Sequence, residues 1–232
     1  MVFGSCPGVS ATAGAGEDRG GPVTRPVELL DSALRRAYGI FEYSSGESCI
    51  FRLRLSRASH ALPLGGTLVA PGAPLLELHF WNERLPALPE GGAHLAWGKR
   101  LYRVLVDGLR DVARHVRQDS LLRQAQAVGG STLIFSPTRG AGTRRLLERH
   151  GFVGVEAPPA PMASLLSERL FTWMLLNTYQ AGYHSLRETL RMQKADVWIP
   201  MGEFLRRFGT EEGGREAGAA ESSRSPTSPA AP

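Results

Sequence analysis

Residues 131–155 read STLIFSPTRGAGTRRLLERHGFVGV, and the fold follows from how this stretch divides. Thr132-Leu133-Ile134-Phe135 is a run of β-branched, aliphatic and aromatic residues, which suits a short buried strand. Ser136-Pro137 breaks it, and Gly142 to His150 then reads as a compact basic helix. Gly151 ends that helix, because glycine takes the left-handed capping conformation readily. Phe152 opens a second strand running to Glu156. A strand–helix–strand unit of this kind implies a sheet with helices packed on it.

Upstream, Val27 to Ala37 places Leu29, Leu30, Ala33, Leu34 and Ala37 on one helical face. From Cys49 to Arg57 the chain alternates: Phe51, Leu53 and Leu55 point one way, Arg52, Arg54 and Ser56 the other, as in a half-buried strand. Gly65-Gly66 and Pro71-Gly72 mark turns on either side of Thr67-Leu68-Val69. The stretch from Leu75 to Trp81 alternates again, with Leu76, Leu78 and Phe80 opposite Glu77, His79 and Trp81. These three strands are expected to form an antiparallel meander. A long helix is expected from Ala96 to Ala125, its stripe built by Trp97, Leu101, Leu105, Leu109, Val112 and Val116, with Gly129-Gly130 as its stop. Downstream come a helix from Ala163 to Tyr179, a strand from Lys194 to Ile199 and a helix from Met201 to Phe208.

Residues 1–24 and 210–232 are rich in Gly, Ala, Ser and Pro. They carry too little apolar surface to offset the entropy of ordering, so both are expected to be disordered around one domain at residues 25–209. The chain has 232 residues and a net charge of +5, with lysine only at Lys99 and Lys194. Arginine therefore supplies the excess, which permits attraction to phosphate or to an anionic surface. Arg100, Arg103, Arg110, Arg114 and Arg117 share one side of the long helix. They read as a solvated face or as a surface for phosphate, lipid headgroup or glycan carrier. No exposed aromatics interleave with them, so nucleic acid is not an expected partner.

The two cysteines, Cys6 and Cys49, imply neither a disulfide framework nor a metal site. The six histidines show no paired ligand spacing, so no metal is expected. The leader shows no secretory signal, and no apolar run reaches the ~18 residues that span a bilayer. The expected location is the cytoplasm, with peripheral contact at the inner membrane surface as a candidate. The helix around Leu170, Phe171, Trp173, Met174, Leu175 and Leu176 is apolar nearly all round. Burial under the sheet is its expected fate, with a dimer or membrane face as the competing reading.

The order helix, three antiparallel strands, long helix, strand, short helix, strand resembles the core of a GNAT-type N-acyltransferase. Arg144 to Phe152 resembles that superfamily's last helix and the Gly-Phe opening its next strand. The resemblance implies an α+β fold: a single domain with a mixed, mainly antiparallel sheet flanked by helices, GNAT-like, and splayed central strands on which an acyl-coenzyme A can pair. Two departures bear on the reaction. Pro89-Glu90-Gly91-Gly92-Ala93-His94 lacks the glycine pattern that holds pyrophosphate before the long helix. Leu147 stands where many members carry a tyrosine acid.

A second resemblance covers nearly all of residues 29–209. Phe51-Arg52-Leu53, the run Leu78-His79-Phe80-Trp81-Asn82, Gly130-Ser131-Thr132, His150-Gly151-Phe152 and Val197-Trp198-Ile199-Pro200-Met201 resemble the YkoP-like family. Such domains occur alone or joined to polysaccharide deacetylase domains and accompany envelope glycan genes. The resemblance implies a bacterial protein of the cell envelope, with a polysaccharide or lipid-linked precursor, or a deacetylase, as candidate partner. It implies no reaction, since fold and family context do not carry chemistry.

His79 and Glu77 are the candidate catalytic pair, the imidazole as general base and the carboxylate orienting it. Asn82, Ser131, Thr132, Ser136 and Arg139 are the candidate substrate-binding residues, the last two in a turn whose glycines and helix N-terminus suit a phosphate. The reading requires the early strands and the 131–155 unit to share one sheet whose central strands part near His79. Two functions compete: acyl transfer to an amino sugar or lipid-linked amine, and a non-catalytic module binding a glycan precursor, an anionic membrane or a deacetylase.

Overall fold

Alternation at both ends of the first strand pair sets the frame. In the computed structural model, which describes residues 24–46, 49–89, 94–135, 140–155, 162–179, 186–191 and 193–209, β1 (Phe51–Arg57) pairs antiparallel with β4 (Pro74–Phe80). Leu53 lies opposite Leu78, and Arg54 opposite Glu77. Each strand therefore offers one apolar and one polar face, and the pairing keeps like with like.

The meander is corrected here. β3 (Thr67–Val69) turns back on β2 (Leu62–Leu64) through Gly65 and Gly66, both at positive φ, and makes a separate two-stranded hairpin. β1 and β4 thus pair directly, with the hairpin as an excursion between them. Its Leu62, Leu64 and Val69 pack with Leu75, Ala127 and Trp198 into a small second core.

The main sheet continues with β5 (Ala127–Phe135), β6 (Val153–Val155) and β7 (Gln193–Pro200) in the order β1-β4-β5-β7-β6. β4 and β5 run parallel; the other neighbours are antiparallel. The expected α+β class with a mixed, mainly antiparallel sheet is what the chain adopts.

On the apolar face lie α2 (Leu95–Gln118) and α6 (Met201–Phe208). Leu53, Leu76, Val128 and Ile199 from the sheet meet Val112, Val116 and Phe204 from the helices, all fully buried. Side chains of this kind contribute ~1.5–3 kcal/mol each on full burial. α2 ends seven residues before the expected Ala125. Asp119 Oδ1 accepts the N–H groups of Leu121 (2.8 Å) and Leu122 (3.3 Å), and that local bonding competes with continuing the helix. Gly129 and Gly130 are not a helix stop; they lie within β5.

Away from the hairpin the opposite face is polar, around Arg52, Arg54, Glu77 and His79, and this overturns two expectations. α1 (Thr24–Tyr38) does not bury its apolar stripe: Leu29 is 72% and Leu30 44% exposed. Its inner side is Asp31 and Arg35, because the strand beneath presents Arg52. That guanidinium, in a residue only 5% exposed, reaches Glu42 (3.2 Å), Glu83 (3.6 Å) and Asp31 (3.7 Å), and lies 4.3 Å from the centre of the Trp81 ring. The second correction concerns α4 (Met162–Tyr179), which is not buried under the sheet. None of its described side chains is buried, and Met162, Leu166 and Leu170 are exposed. α2 and α6 already fill the apolar face, so α4 touches α1, the short α5 (Leu186–Arg191) and the turn at Asn82–Arg84 instead. The sequence reading had no counterpart for α5. α3 (Gly140–Arg149) links β5 to β6.

Arg52→Ala is expected to cost about 2 kcal/mol in chemical denaturation, less than a fully buried pair would because Glu42 and Glu83 keep partial hydration. Burial holds the Asp31 carboxyl above its ordinary range, with Arg35 and Arg52 opposing. Without Arg52 it rises further. A carboxyl raised in the folded state favours folding when protonated and loses that contribution as pH rises, so the variant's deficit should shrink on acidification.

Candidate functional site

Period-two alternation puts Glu77 and His79 on the polar face of β4, with Arg54 and Arg52 as their partners across β1. His79 Nε2 lies 3.2 Å from Glu77 Oε2, and Arg54 Nη1 donates to the same oxygen at 3.3 Å. The His79 side chain is 36% exposed, so the imidazole reaches solvent rather than a sealed interior. Burial alone would raise the Glu77 carboxyl. The hydrogen bond with His79 and the Arg54 charge outweigh it, and the carboxyl is held below its ordinary range. The pair is therefore a carboxylate in hydrogen-bond contact with an accessible imidazole.

The parallel register between β4 and β5 covers three positions, Leu75↔Ala127, Leu76↔Val128 and Glu77↔Gly129. Beyond it β4 runs on through His79 to Phe80, and β5 through Ser131 to Phe135, with no further pairing between them among the described residues. β5 stays paired to β7 there, Ser131 opposite Asp196 and Thr132 opposite Ala195. Ser131 Oγ donates a short hydrogen bond to Asp196 Oδ1, in a residue 8% exposed. His79 and Ser131 thus stand on either side of the place where the two strands stop pairing, each backed by a carboxylate.

Of the other expected binding residues, Asn82 opens the 3-10 turn that follows β4, and Thr132 keeps its place in β5. Ser136 and Arg139 lie outside the described residues. The arginines along α2 are exposed, with Asp107 bonded to Arg110 and Asp111 to Arg114. Sequence reasoning missed Asp196, since a lone acidic residue in a strand gives no sign of a partner 65 positions earlier.

A cavity of about 760 Å³ lies elsewhere, where β5 begins and β7 ends. Gln126, Gly151, Pro200, Glu203 and Arg207 line it beside the hairpin turn. Its charged groups are spent on each other and on backbone: Arg207 bonds Glu203 and the Arg149 carbonyl. The imidazole–carboxylate pair His79–Glu77 lies at the β4–β5 opening instead, and a partly buried carboxyl with a shifted pKa beside a histidine is a candidate for chemistry.

A family model describing the YkoP domain matches residues 24–208, from the first residue of α1 to the last of α6. The chain belongs to the YkoP family. No curated protein and no solved structure matches it. Among the described residues of this YkoP domain, no helix is long and apolar enough to cross a membrane.

Glu77→Gln should alter the acid limb of stability. A carboxyl lowered in the folded state contributes above its ordinary value of 4.5 and loses that contribution as pH falls through the folded value. Wild-type denaturation midpoints should drop in that window, and the glutamine variant should lack that segment of the curve.

Proposed function

We propose that this YkoP domain transfers an acyl group from a thioester donor to a primary amine on an envelope glycan or a lipid-linked precursor. The observation that carries the reading is the parallel β4–β5 pair that stops at Glu77↔Gly129, with the His79–Glu77 pair just past it. The strand order β1-β4-β5-β7-β6 supports a GNAT-like core. Unpaired backbone of both strands past that point suits the amide-rich arm of an acyl-coenzyme A. The envelope setting rests on the family context.

Glu77 holds His79 Nε2, leaving Nδ1 to take the proton of the attacking amine. An acyl-coenzyme bound there would supply the thioester: the amine nitrogen forms the new C–N bond, the C–S bond breaks, and the thiolate takes up the proton His79 received. The donor's phosphate end fits less well. His94 Nδ1 already accepts the Trp97 N–H in the first turn of α2 (3.3 Å), and Leu147 packs against the main core in place of an acid.

The test is thiol release from acetyl-coenzyme A with glucosamine as acceptor. Saturable release that needs both substrates supports the reading; the absence of both thiol release and coenzyme binding would overturn it. The α1–α4 layer favours a second reading, a non-catalytic module resting on an anionic membrane or a deacetylase, because Leu29, Leu30, Met162, Leu166 and Leu170 are uncovered. Cosedimentation with anionic liposomes that fades with salt would favour it.

A further inference from the structure

We propose that the opening between β4 and β5 selects a protonated primary amine by presenting side-chain hydrogen-bond acceptors from both strands, and that Asp196 is the positioning residue that makes Ser131 one of them. The inference rests on the reading of the opening as an acceptor-substrate site and adds how that substrate is recognised.

The argument is one of donor direction. Ser131 Oγ has one proton and gives it to Asp196, so toward the opening the hydroxyl has only lone pairs to offer. Ser131 is exposed while Asp196 is buried, which places the carboxylate behind the hydroxyl. On the other strand Glu77 is an ionised carboxylate and can only accept, so the proton shared with His79 sits on Nε2. In the tautomer that places that proton on Nε2, Nδ1 offers a lone pair, and among the described residues nothing bonds it.

The side chains of both lips therefore accept: Asp196 backs Ser131 with negative charge, and Glu77, which also takes the Arg54 guanidinium, backs His79. A ligand that satisfies them must bring at least two N–H or O–H donors and tolerates, or prefers, positive charge. Arg52, directly across from His79, does not oppose this, because its guanidinium is held by Asp31, Glu42 and Glu83. An ammonium group has three donors and a full charge. A neutral hydroxyl brings one donor and no charge, and an acetamide likewise a single N–H. The chemistry that fits is an amino sugar or another primary amine, recognised before it is deprotonated.

Calorimetric titration of the full chain with glucosamine, N-acetylglucosamine and glucose, with no thioester present, tests this. Glucosamine should bind at least about tenfold more tightly than the other two, since a charge-assisted hydrogen bond exceeds a neutral one by ~1.4 kcal/mol or more. Ser131→Ala and Asp196→Asn should each erase that preference; the exposed Ser131 site keeps the test open if the Asp196 variant fails to fold. Absence of glucosamine binding, equal binding of the three sugars, or full preference retained in Ser131→Ala would overturn the proposal. Amine preference without thiol release would remove the transfer reaction alone, and thiol release without amine preference would remove this inference alone.

Discussion

His79→Ala is expected to lower acetyl-coenzyme-dependent thiol release by about 10²–10⁴-fold, the usual contribution of a positioned general base. Stability should change little. The side chain is 36% exposed and makes one hydrogen bond, to Glu77, so its removal should cost no more than about 1 kcal/mol in denaturation. The two readouts separate base from strut. Unchanged turnover together with a lower denaturation midpoint would make His79 a strand-edge residue tied to a cross-strand charge pair.

Gly129→Ala should be the most damaging single-methyl change in the sheet, costing more than about 3 kcal/mol and leaving little folded protein. A Cβ at that position would sit 2.0 Å from the Val197 carbonyl oxygen and 2.8 Å from Trp198 Cα. Both are backbone atoms of β7, which cannot move aside without losing its pairing to β5 and β6. Gly202→Ala is the control. It lies in the first turn of α6 with nothing within 4 Å of the added carbon, and alanine is the better helix former. Its denaturation midpoint should stay level or rise slightly. Normal folding of Gly129→Ala would mean that β5 and β7 are further apart than their register implies.

Local signals were legible wherever a segment's own pattern matched its surroundings. The helix from Met201 to Phe208 was readable end to end, because its apolar residues meet the main core at helical spacing. The faces of β1 and β4 were readable for the same reason, and with them the Glu77–His79 pairing. What was not legible depends on distant partners. Gly129-Gly130 looks like punctuation, yet its reason lies almost 70 residues later in β7. Leu29 and Leu30 look like core, yet the face below α1 belongs to Arg52 and its carboxylates. Ser131 was readable as a polar residue at a strand end, but not as one whose proton is already given to Asp196.

The position of β7 has a consequence for how the chain reaches this state. Among the described residues it is the final strand in sequence, yet it lies between β5 and β6 and joins β6 to the rest of the sheet. During synthesis, β5 and β6 must wait with open hydrogen-bonding edges until residues 193–200 leave the ribosome. Such late, long-range closure makes for slow acquisition of structure and a nascent chain that invites chaperones. Truncation just before Gln193 would strand β6 and expose both edges at once.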